Sequence, residues 1–295
     1  MMIPPPLQTG DRVALVAPCS PVDPAQAEPA AAWLRRWGYE PVIYPSCRRR
    51  EHYLAGNDAS RATDLHAAFA DPRVKAVIAV RGGYGGARLT EYLDYDLIRR
   101  NPKLFCGFSD VTVLHGLLQE RCGLVTFHTP MPSLPAMRED SFTARHFAAA
   151  LRGDYPTAFT DRGGNGVPPL TCLCPGKAKG ILTGGNLTVI AAATGTPYQC
   201  KTEGRILFLE DVGERAYAID RMLRQLRDSG QLSGCAGILL GNWQGCGGAE
   251  ERPLTEIFTE YFAPFGIPVL ADLPCGHGVP SLSLPLGAEV TVEGE

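Results

Sequence analysis

Three polar side chains, Ser109, Glu210 and His277, each lie at the end of a predicted strand or in a loop beside one. A serine, an acid and a histidine are the residue types that nucleophilic acyl transfer uses, with the histidine as base and the acid as the group that orients it. Taken singly, each has an ordinary interpretation as a helix cap, a solvated carboxylate or an incidental loop histidine. Their occurrence together favours hydrolysis through a serine nucleophile as a hypothesis.

Ser109 stands at the turn between a predicted strand over 104–108 and a predicted helix over 110–121. A serine at such a turn lies at the carboxyl edge of a parallel sheet, near helix N–H groups that stabilise developing negative charge. The local sequence GFSDV resembles a nucleophile elbow, except that Val111 replaces the last glycine of the G-x-S-x-G motif. The alternative is that Ser109 or Asp110 only caps the helix.

A glycine-rich stretch, RGGYGG over 81–86, follows the predicted strand 74–80. Glycines let bare backbone amides approach a ligand closely, as an oxyanion hole requires, although a simple tight turn uses them as well. The stretch matches neither the dinucleotide-binding G-x-G-x-x-G pattern nor a Walker A loop. Nicotinamide-dependent redox chemistry is therefore disfavoured.

The elements that must position these residues are short apolar strands alternating with helical patterns. This alternation predicts an α/β protein with a parallel sheet covered by helices. A Gly- and Pro-rich stretch over 152–176 is interpreted as an inter-domain linker, which gives domains 1–151 and 177–295. The predicted strands are 12–18, 40–45, 74–80, 104–108, 124–128, 179–182, 205–211, 236–242, 268–272 and a last one at the C-terminus; the predicted helices are 25–37, 57–71, 110–121, 186–194, 216–228 and 254–263.

Composition narrows the class of protein further. The 295 residues are 45% hydrophobic and 20% charged with a formal net charge of -3, which is typical of globular proteins. The sequence has no basic block that would indicate a nucleic-acid partner. It also has no signal peptide that would indicate export, and no apolar stretch of about 20 residues that would indicate a membrane span. The ten cysteines contain no C-x-x-C pair, so we expect buried free thiols, no metal site and a cytoplasmic protein.

Five stretches in order along the chain resemble the LD-carboxypeptidase family of serine peptidases, which includes the microcin-immunity peptidases. They are GDRVALVAPCSP, AVRGGYGGARLTEYLDYDLIRRNPKLFCGFSDVTVLH, GGNLTVI, LFLEDVGERAYAIDRMLRQL and GHGVPSLSLPLG. The resemblance implies that Ser109 is the nucleophile, Glu210 the acid and His277 the base. It also implies a Rossmann-like parallel-sheet N-terminal domain plus a smaller α/β C-terminal domain, an active site at their interface, and a homodimer.

The activity implied by the resemblance is that of a serine carboxypeptidase. It would hydrolyse the L,D-peptide bond to the terminal D-alanine of a murein tetrapeptide in cell-wall recycling, without a metal or cofactor. The backbone amides of Gly83 and Asp110 are expected to hold the oxyanion. Arg81, Asn186 and Glu214 are the candidate substrate contacts.

Two departures and two alternatives accompany this hypothesis. Thr129 stands where the family usually has a glycine, and Cys19 where it more often has a serine, but neither change affects the three catalytic candidates. One alternative is a microcin-immunity-type serine peptidase that cleaves a peptide-nucleotide or an acyl-sulfamoyl adenylate. The other is a non-catalytic two-domain ligand-binding protein in which the serine is inert.

Overall fold

The computed structural model describes residues 1–134, 137, 142–154 and 169–295. The chain divides into two compact units, the first formed by residues 1–155 with 282–285 and the second by 156–281 with 286–295. Two six-stranded sheets are found among the described residues, which confirms the predicted two-domain α/β class. Most of the predicted linker, residues 155–168, lies outside the described residues.

The first unit is built on a largely parallel sheet. Its strands are β1 (Arg12–Val16), β2 (Glu40–Ile43), β3 (Val74–Ala79), β4 (Leu104–Gly107), β5 (Thr126–His128) and, from near the C-terminus, β11 (Leu284–Leu286). They run in the order β11-β5-β4-β3-β1-β2, and the neighbours among β1 to β5 are parallel. The order 2-1-3-4-5 is the flavodoxin-like variant of the predicted doubly wound arrangement. The chain reverses direction across the sheet between β1 and β3, so the loops after these strands flank the crevice where such sheets bind ligands.

Two helices of the first unit have clear sequence signals at an end. The helices of this unit are α1 (Pro24–Arg36), α2 (Asp58–Ala70), α3 (Tyr95–Arg100), α4 (Thr112–Cys122) and α5 (Phe142–Arg152). Helix α2 begins after a side-chain cap, because the Asn57 side chain accepts from the Ser60 N–H at 2.9 Å. Helix α4 ends at Gly123, whose φ of 66° suits glycine. The sequence patterns predict neither α3 nor α5.

The second unit contains a mixed sheet. Its strands are β6 (Thr171–Cys174), β7 (Gly176–Asn186), β8 (Ile206–Val212), β9 (Gly237–Gln244), β10 (Val269–Ala271) and β12 (Glu289–Gly294). The order is β12-β7-β8-β9-β10-β6, with β7 to β10 parallel and the two outer strands antiparallel to their neighbours. Strand β12 confirms the predicted terminal strand. Strand β6 is formed by residues that the sequence analysis assigns to the linker, and it pairs with β10.

Helices α6 (Leu187–Ala192), α7 (Ala216–Asp228) and α8 (Leu254–Phe262) complete the second unit. Helix α7 buries Ile219, Leu223 and Leu226 in one cluster with Leu207 of β8 and Ile238 of β9. The contact between one apolar face of α7 and the buried strands holds β8 in place. Glu210, which lies on β8, is positioned in this way. In the part of the chain that the structure describes, no helix has both the length and the apolarity to cross a membrane.

Candidate active site

Ser109 lies two residues beyond β4, at the start of a 3₁₀ turn that leads into α4. Its φ is 63°, a left-handed conformation that costs a non-glycine residue on the order of 1–3 kcal/mol. The capping alternative is wrong, since in the described chain neither this turn nor α4 has a side-chain cap. The Asp110 carboxylate instead accepts the Gly86 N–H at 2.7 Å. The turn therefore holds Ser109 in a strained backbone conformation that helix capping does not explain.

The glycine loop, residues 81–86, lies directly against this turn. A Cβ atom on Gly82 would lie 2.9 Å from Ser109 Cβ and 3.1 Å from Ser109 Oγ, so a larger residue would displace the serine. The loop is tied to the β1 loop, residues 17–20, because Ser20 N–H donates to Gly82 O at 3.0 Å and Ser20 Oγ accepts from Tyr84 N–H at 2.9 Å. Gly82 is a site residue that the sequence analysis missed, since nothing in the run RGGYGG distinguishes the glycine that contacts the serine.

The two predicted oxyanion donors keep their amides available. No described residue accepts a hydrogen bond from the backbone N–H of Gly83 or of Asp110. Asp110 lies in the first turn before α4, where N–H groups have no partner within the helix. Arg81, the first residue of the glycine loop, is exposed, and it forms no hydrogen bond or ion pair with any described residue. The Gly83 and Asp110 amides and the Arg81 guanidinium thus have no hydrogen-bond partner among the described residues and are available to a ligand.

Glu210 and His277 lie in the second unit and are brought together across 67 positions of sequence. Glu210 Oε2 accepts from His277 Nδ1 at 2.7 Å and from the His277 backbone N–H at 3.2 Å. Because a carboxylate only accepts, Nδ1 carries the proton in this bond, and Nε2 is the ring nitrogen left to accept a proton from another group. Burial raises the pKa of Glu210, and the hydrogen bonds from His277 oppose that rise. The pair has the orientation of the acid and base in a catalytic triad.

The glycines beside His277 have a steric role. Gly276 has a φ of 120°, and a Cβ atom there would lie 2.5 Å from Glu210 Oε2. A Cβ atom on Gly278 would lie 2.7 Å from Asn242 Cγ on β9. Only glycine therefore lets the histidine loop approach β8 and β9 closely enough for the 2.7 Å bond to form.

Asn186 and Glu214, two of the predicted substrate contacts, lie in one polar cluster of the second unit. Asn186 is buried and caps α6, accepting from Val189 N–H at 3.2 Å and donating to Asp211 at 2.9 Å. Asp211 also accepts from the N–H and the hydroxyl of Thr188, both at 2.8 Å. Glu214 is half-buried, and its carboxylate lies 3.5 Å from the Thr188 hydroxyl, whose single proton goes to Asp211. These bonds give Asn186 a structural role, and its contact with a substrate stays a prediction.

All ten cysteines are free. Among the described residues, no group of three or more His, Cys, Asp and Glu side chains is arranged to hold a metal ion. Cys19, in the β1 loop, is fully buried. Burial, and after it the nearby Asp110 carboxylate, raise the pKa of this thiol well above its usual value, so Cys19 is a neutral thiol and no thiolate nucleophile.

Comparison with known families covers most of the chain. The profile of the LD-carboxypeptidase N-terminal domain matches residues 13–129, and that of the LD-carboxypeptidase C-terminal domain matches residues 179–292. The first match contains Ser109, and the second contains Glu210 and His277. Both matches lie where the sequence motifs predict this family.

Individual relatives extend over almost the full length. A probable murein peptide carboxypeptidase of Bacillus subtilis (strain 168) is 38% identical over 291 residues, covering 97% of this chain and 90% of its own. Among solved structures, a muramoyltetrapeptide carboxypeptidase from Oxalobacter formigenes matches with a TM-score of 0.82 and 31% identity, covering 96% of this chain and 95% of its own. An MccF-like protein from Bacillus anthracis str. Ames matches with a TM-score of 0.87 and 28% identity, covering 100% and 97%.

Proposed function

The chain belongs to the LD-carboxypeptidase family and is therefore a peptidase, and from this premise we propose that it is a serine carboxypeptidase acting on murein tetrapeptide. It would hydrolyse the L,D-peptide bond to the terminal D-alanine. The name of the B. subtilis relative and that of the O. formigenes structure support this substrate class.

In the proposed mechanism, His277 Nε2 takes the proton of the Ser109 hydroxyl while Ser109 Oγ attacks the carbonyl carbon of the last peptide bond. Glu210 orients the ring and stabilises the imidazolium. The backbone amides of Gly83 and Asp110 hold the oxyanion. His277 then gives the proton to the leaving amine of D-alanine, and water hydrolyses the acyl-enzyme by the same base.

The observation that carries the proposal is the 2.7 Å hydrogen bond from His277 Nδ1 to the buried Glu210. Burying a carboxylate is costly unless hydrogen bonds offset the lost hydration, and here Glu210 Oε2 accepts from both the ring and the backbone N–H of one histidine. The left-handed backbone at Ser109 adds weight, because a binding protein with an inert serine has no reason to keep a non-glycine residue in a strained backbone conformation. Both features favour catalysis over the non-catalytic alternative.

Arg81 is the substrate contact that we carry forward with most support. A terminal D-amino acid ends in a free carboxylate, and an exposed guanidinium matches the geometry of that group. Arg81 is one residue from Gly82, which contacts the nucleophile. Asn186 and Glu214 remain proposals of the same kind, with their present hydrogen bonds within the second unit.

The test of the triad compares Ser109→Ala, Glu210→Gln and His277→Ala with the unaltered protein. We expect each variant to lose D-alanine release from the tetrapeptide, measured by mass spectrometry, by a factor of about 10³ or more. The exposed Ser233 supplies the control. Ser233→Ala should keep D-alanine release, and it should also keep labelling by a fluorophosphonate probe, which reacts with an activated serine. Full activity in any triad variant would remove that residue from the mechanism.

The microcin-immunity alternative keeps the same chemistry with another substrate. It is supported by the MccF-like protein, whose TM-score of 0.87 exceeds the 0.82 of the carboxypeptidase structure. We favour murein peptide because sequence identity is higher to the relatives named for it, 38% and 31% against 28%. Parallel assays with tetrapeptide and an acyl-sulfamoyl adenylate decide between them: faster turnover of the adenylate would reverse our preference.

A further inference from the structure

Arg61, in the first turn of α2, is a fully buried arginine whose donors go mainly to backbone carbonyls of loops. Its Nη1 donates to Pro18 O of the β1 loop and, at 2.9 Å, to Gly85 O of the glycine loop. Its Nε donates to Gly56 O at 3.2 Å. A planar guanidinium can hold several carbonyls at fixed angles at the same time, which a lysine cannot do. Arg61 thus connects the two loops that flank the switch point of the first sheet.

Asp110 holds the glycine loop one residue further along. Its carboxylate accepts the Gly86 N–H at 2.7 Å, and a Cβ atom on Gly86 would lie 3.2 Å from Asp110 Oδ2 and 3.5 Å from Cys19 Sγ of the β1 loop. The peptide group between Gly85 and Gly86 therefore has its oxygen on Arg61 and its N–H on Asp110. In the β1 loop, Arg61 holds the carbonyl oxygen of Pro18.

We infer that Arg61 and Asp110 act as a clamp that presets the backbone of the glycine loop against Ser109. Arg61 is a positioning residue in this arrangement, because it touches the loops and contacts neither Ser109 nor a substrate. The inference rests on the proposed function for its catalytic consequence. Its physical basis is that amides aimed in advance at a developing oxyanion need no reorganisation during the reaction.

A second layer of charge balances the buried guanidinium. Asp58 accepts from Arg61 Nη2 and, in a bidentate pair, from Arg88 Nε at 2.9 Å and Nη2 at 2.8 Å. These arginines lower the pKa of Asp58, with the Arg88 hydrogen bonds as the largest cause. The guanidinium that holds Gly85 O is therefore itself held in place by Asp58, which Arg88 fixes in turn.

Lys103, which directly precedes β4 and contacts the same helix, offers a matched control. It is also a buried cation that donates to backbone carbonyls, those of Ala68 at 3.0 Å and of Asp71, but at the opposite end of α2. Removing either cation takes a buried charge from one end of α2, so both changes are expected to lower stability. Only the loss of Arg61 releases the glycine loop.

The experiment compares Arg61→Met, Arg61→Lys and Lys103→Met in the full chain. We expect Arg61→Met to lower kcat for D-alanine release about 10²-fold with KM changed less than threefold, because the loss concerns transition-state geometry. Arg61→Lys should recover part of kcat, and Lys103→Met should keep it. Hydrogen exchange of the amides in residues 80–86 should accelerate in Arg61→Met and stay unchanged in Lys103→Met.

The inference is overturned if Arg61→Met keeps kcat within threefold of Lys103→Met, or if exchange of the glycine loop is the same in both. If Arg61→Met does not fold, Arg61→Lys decides by the same two readouts. An unaltered protein that releases no D-alanine would refute the proposed function instead, and the exchange comparison would still judge the clamp.

Discussion

Two glycines at the candidate site allow loops to approach catalytic side chains closely, because a Cβ atom at either position would clash. Gly82 allows contact with Ser109, and Gly276 allows His277 to reach Glu210. The sequence singles out the three catalytic candidates, whose roles stay a prediction, because their residue types and order fit one chemistry. It does not single out the two glycines, since only the packing shows which glycine lies against another side chain.

Gly276 provides the prediction at this scale. Gly276→Ala would place a Cβ atom 2.5 Å from Glu210 Oε2 and so separate the carboxylate from His277. We expect a loss of kcat of about 10²-fold or more, because a misoriented base no longer accepts the serine proton. The rate of D-alanine release at saturating substrate measures this loss of kcat.

The matched control for this change is Gly195→Ala. Gly195 also has a positive φ, 81°, but a Cβ atom there would meet nothing within 4 Å. It should show the backbone cost of alanine in a left-handed conformation and full kcat. Equal kcat in the two variants would contradict the steric account.

At the scale of elements, α4 is joined to the sheet by a buried histidine. His115 Nε2 donates to Gly107 O at the end of β4, and its Nδ1 accepts from the Thr126 hydroxyl on β5, both at 2.9 Å. This tautomer follows because a carbonyl oxygen can only accept. Burial lowers the pKa of His115 to about 4. The neutral ring thus fixes the helix that follows the nucleophile to two strands.

A pH dependence of stability follows from this shift. His115 binds fewer protons in the folded state than in the unfolded state, whose ordinary value is 6.5, so stability falls as pH drops from 6.5 towards 4. At pH 5 the loss attributable to His115 is about 2 kcal/mol. His115→Gln, which does not titrate, should lose less stability between pH 7 and pH 5 in urea unfolding. Parallel pH curves for the two proteins would contradict this assignment.

The elements that the sequence predicts are those with strong local signals. Strands β1 and β3 are continuous apolar runs, and α2 has its cap at Asn57. The sequence analysis missed α3 and α5 and assigned β6 to a linker. Helix α3 is only six residues long, too short for a clear period. Strand β6 is half-exposed and depends on its pairing with β10, a partner almost one hundred positions away in sequence.

At the scale of the whole molecule, the chain returns to its first unit near the C-terminus. Residues 282–285 belong to that unit, and β11 lies beside β5 in its sheet. The sequence analysis assigns all of 177–295 to the second domain, because a three-residue strand carries no signal of which sheet it joins. The homodimer implied by the family resemblance stays a prediction, which light scattering can test.

The return of the chain predicts how the first unit behaves in isolation. A fragment of residues 1–155 would leave β5, with its buried Phe127, at the edge of the sheet. We expect it to unfold at a lower urea concentration and to aggregate more than the same fragment with residues 282–286 attached through a Gly/Ser linker. The same midpoint and solubility for both fragments would show that β11 adds nothing to the first unit.

The left-handed backbone at Ser109 has a consequence for the evolution of this fold. Glycine would occupy that position without strain, so a lineage that no longer needs the reaction would gain stability by exchanging the hydroxyl for a hydrogen atom. Selection for catalysis therefore favours serine at position 109, whereas selection for stability favours glycine. A relative with glycine there would be recognisable, before any assay, as a pseudoenzyme.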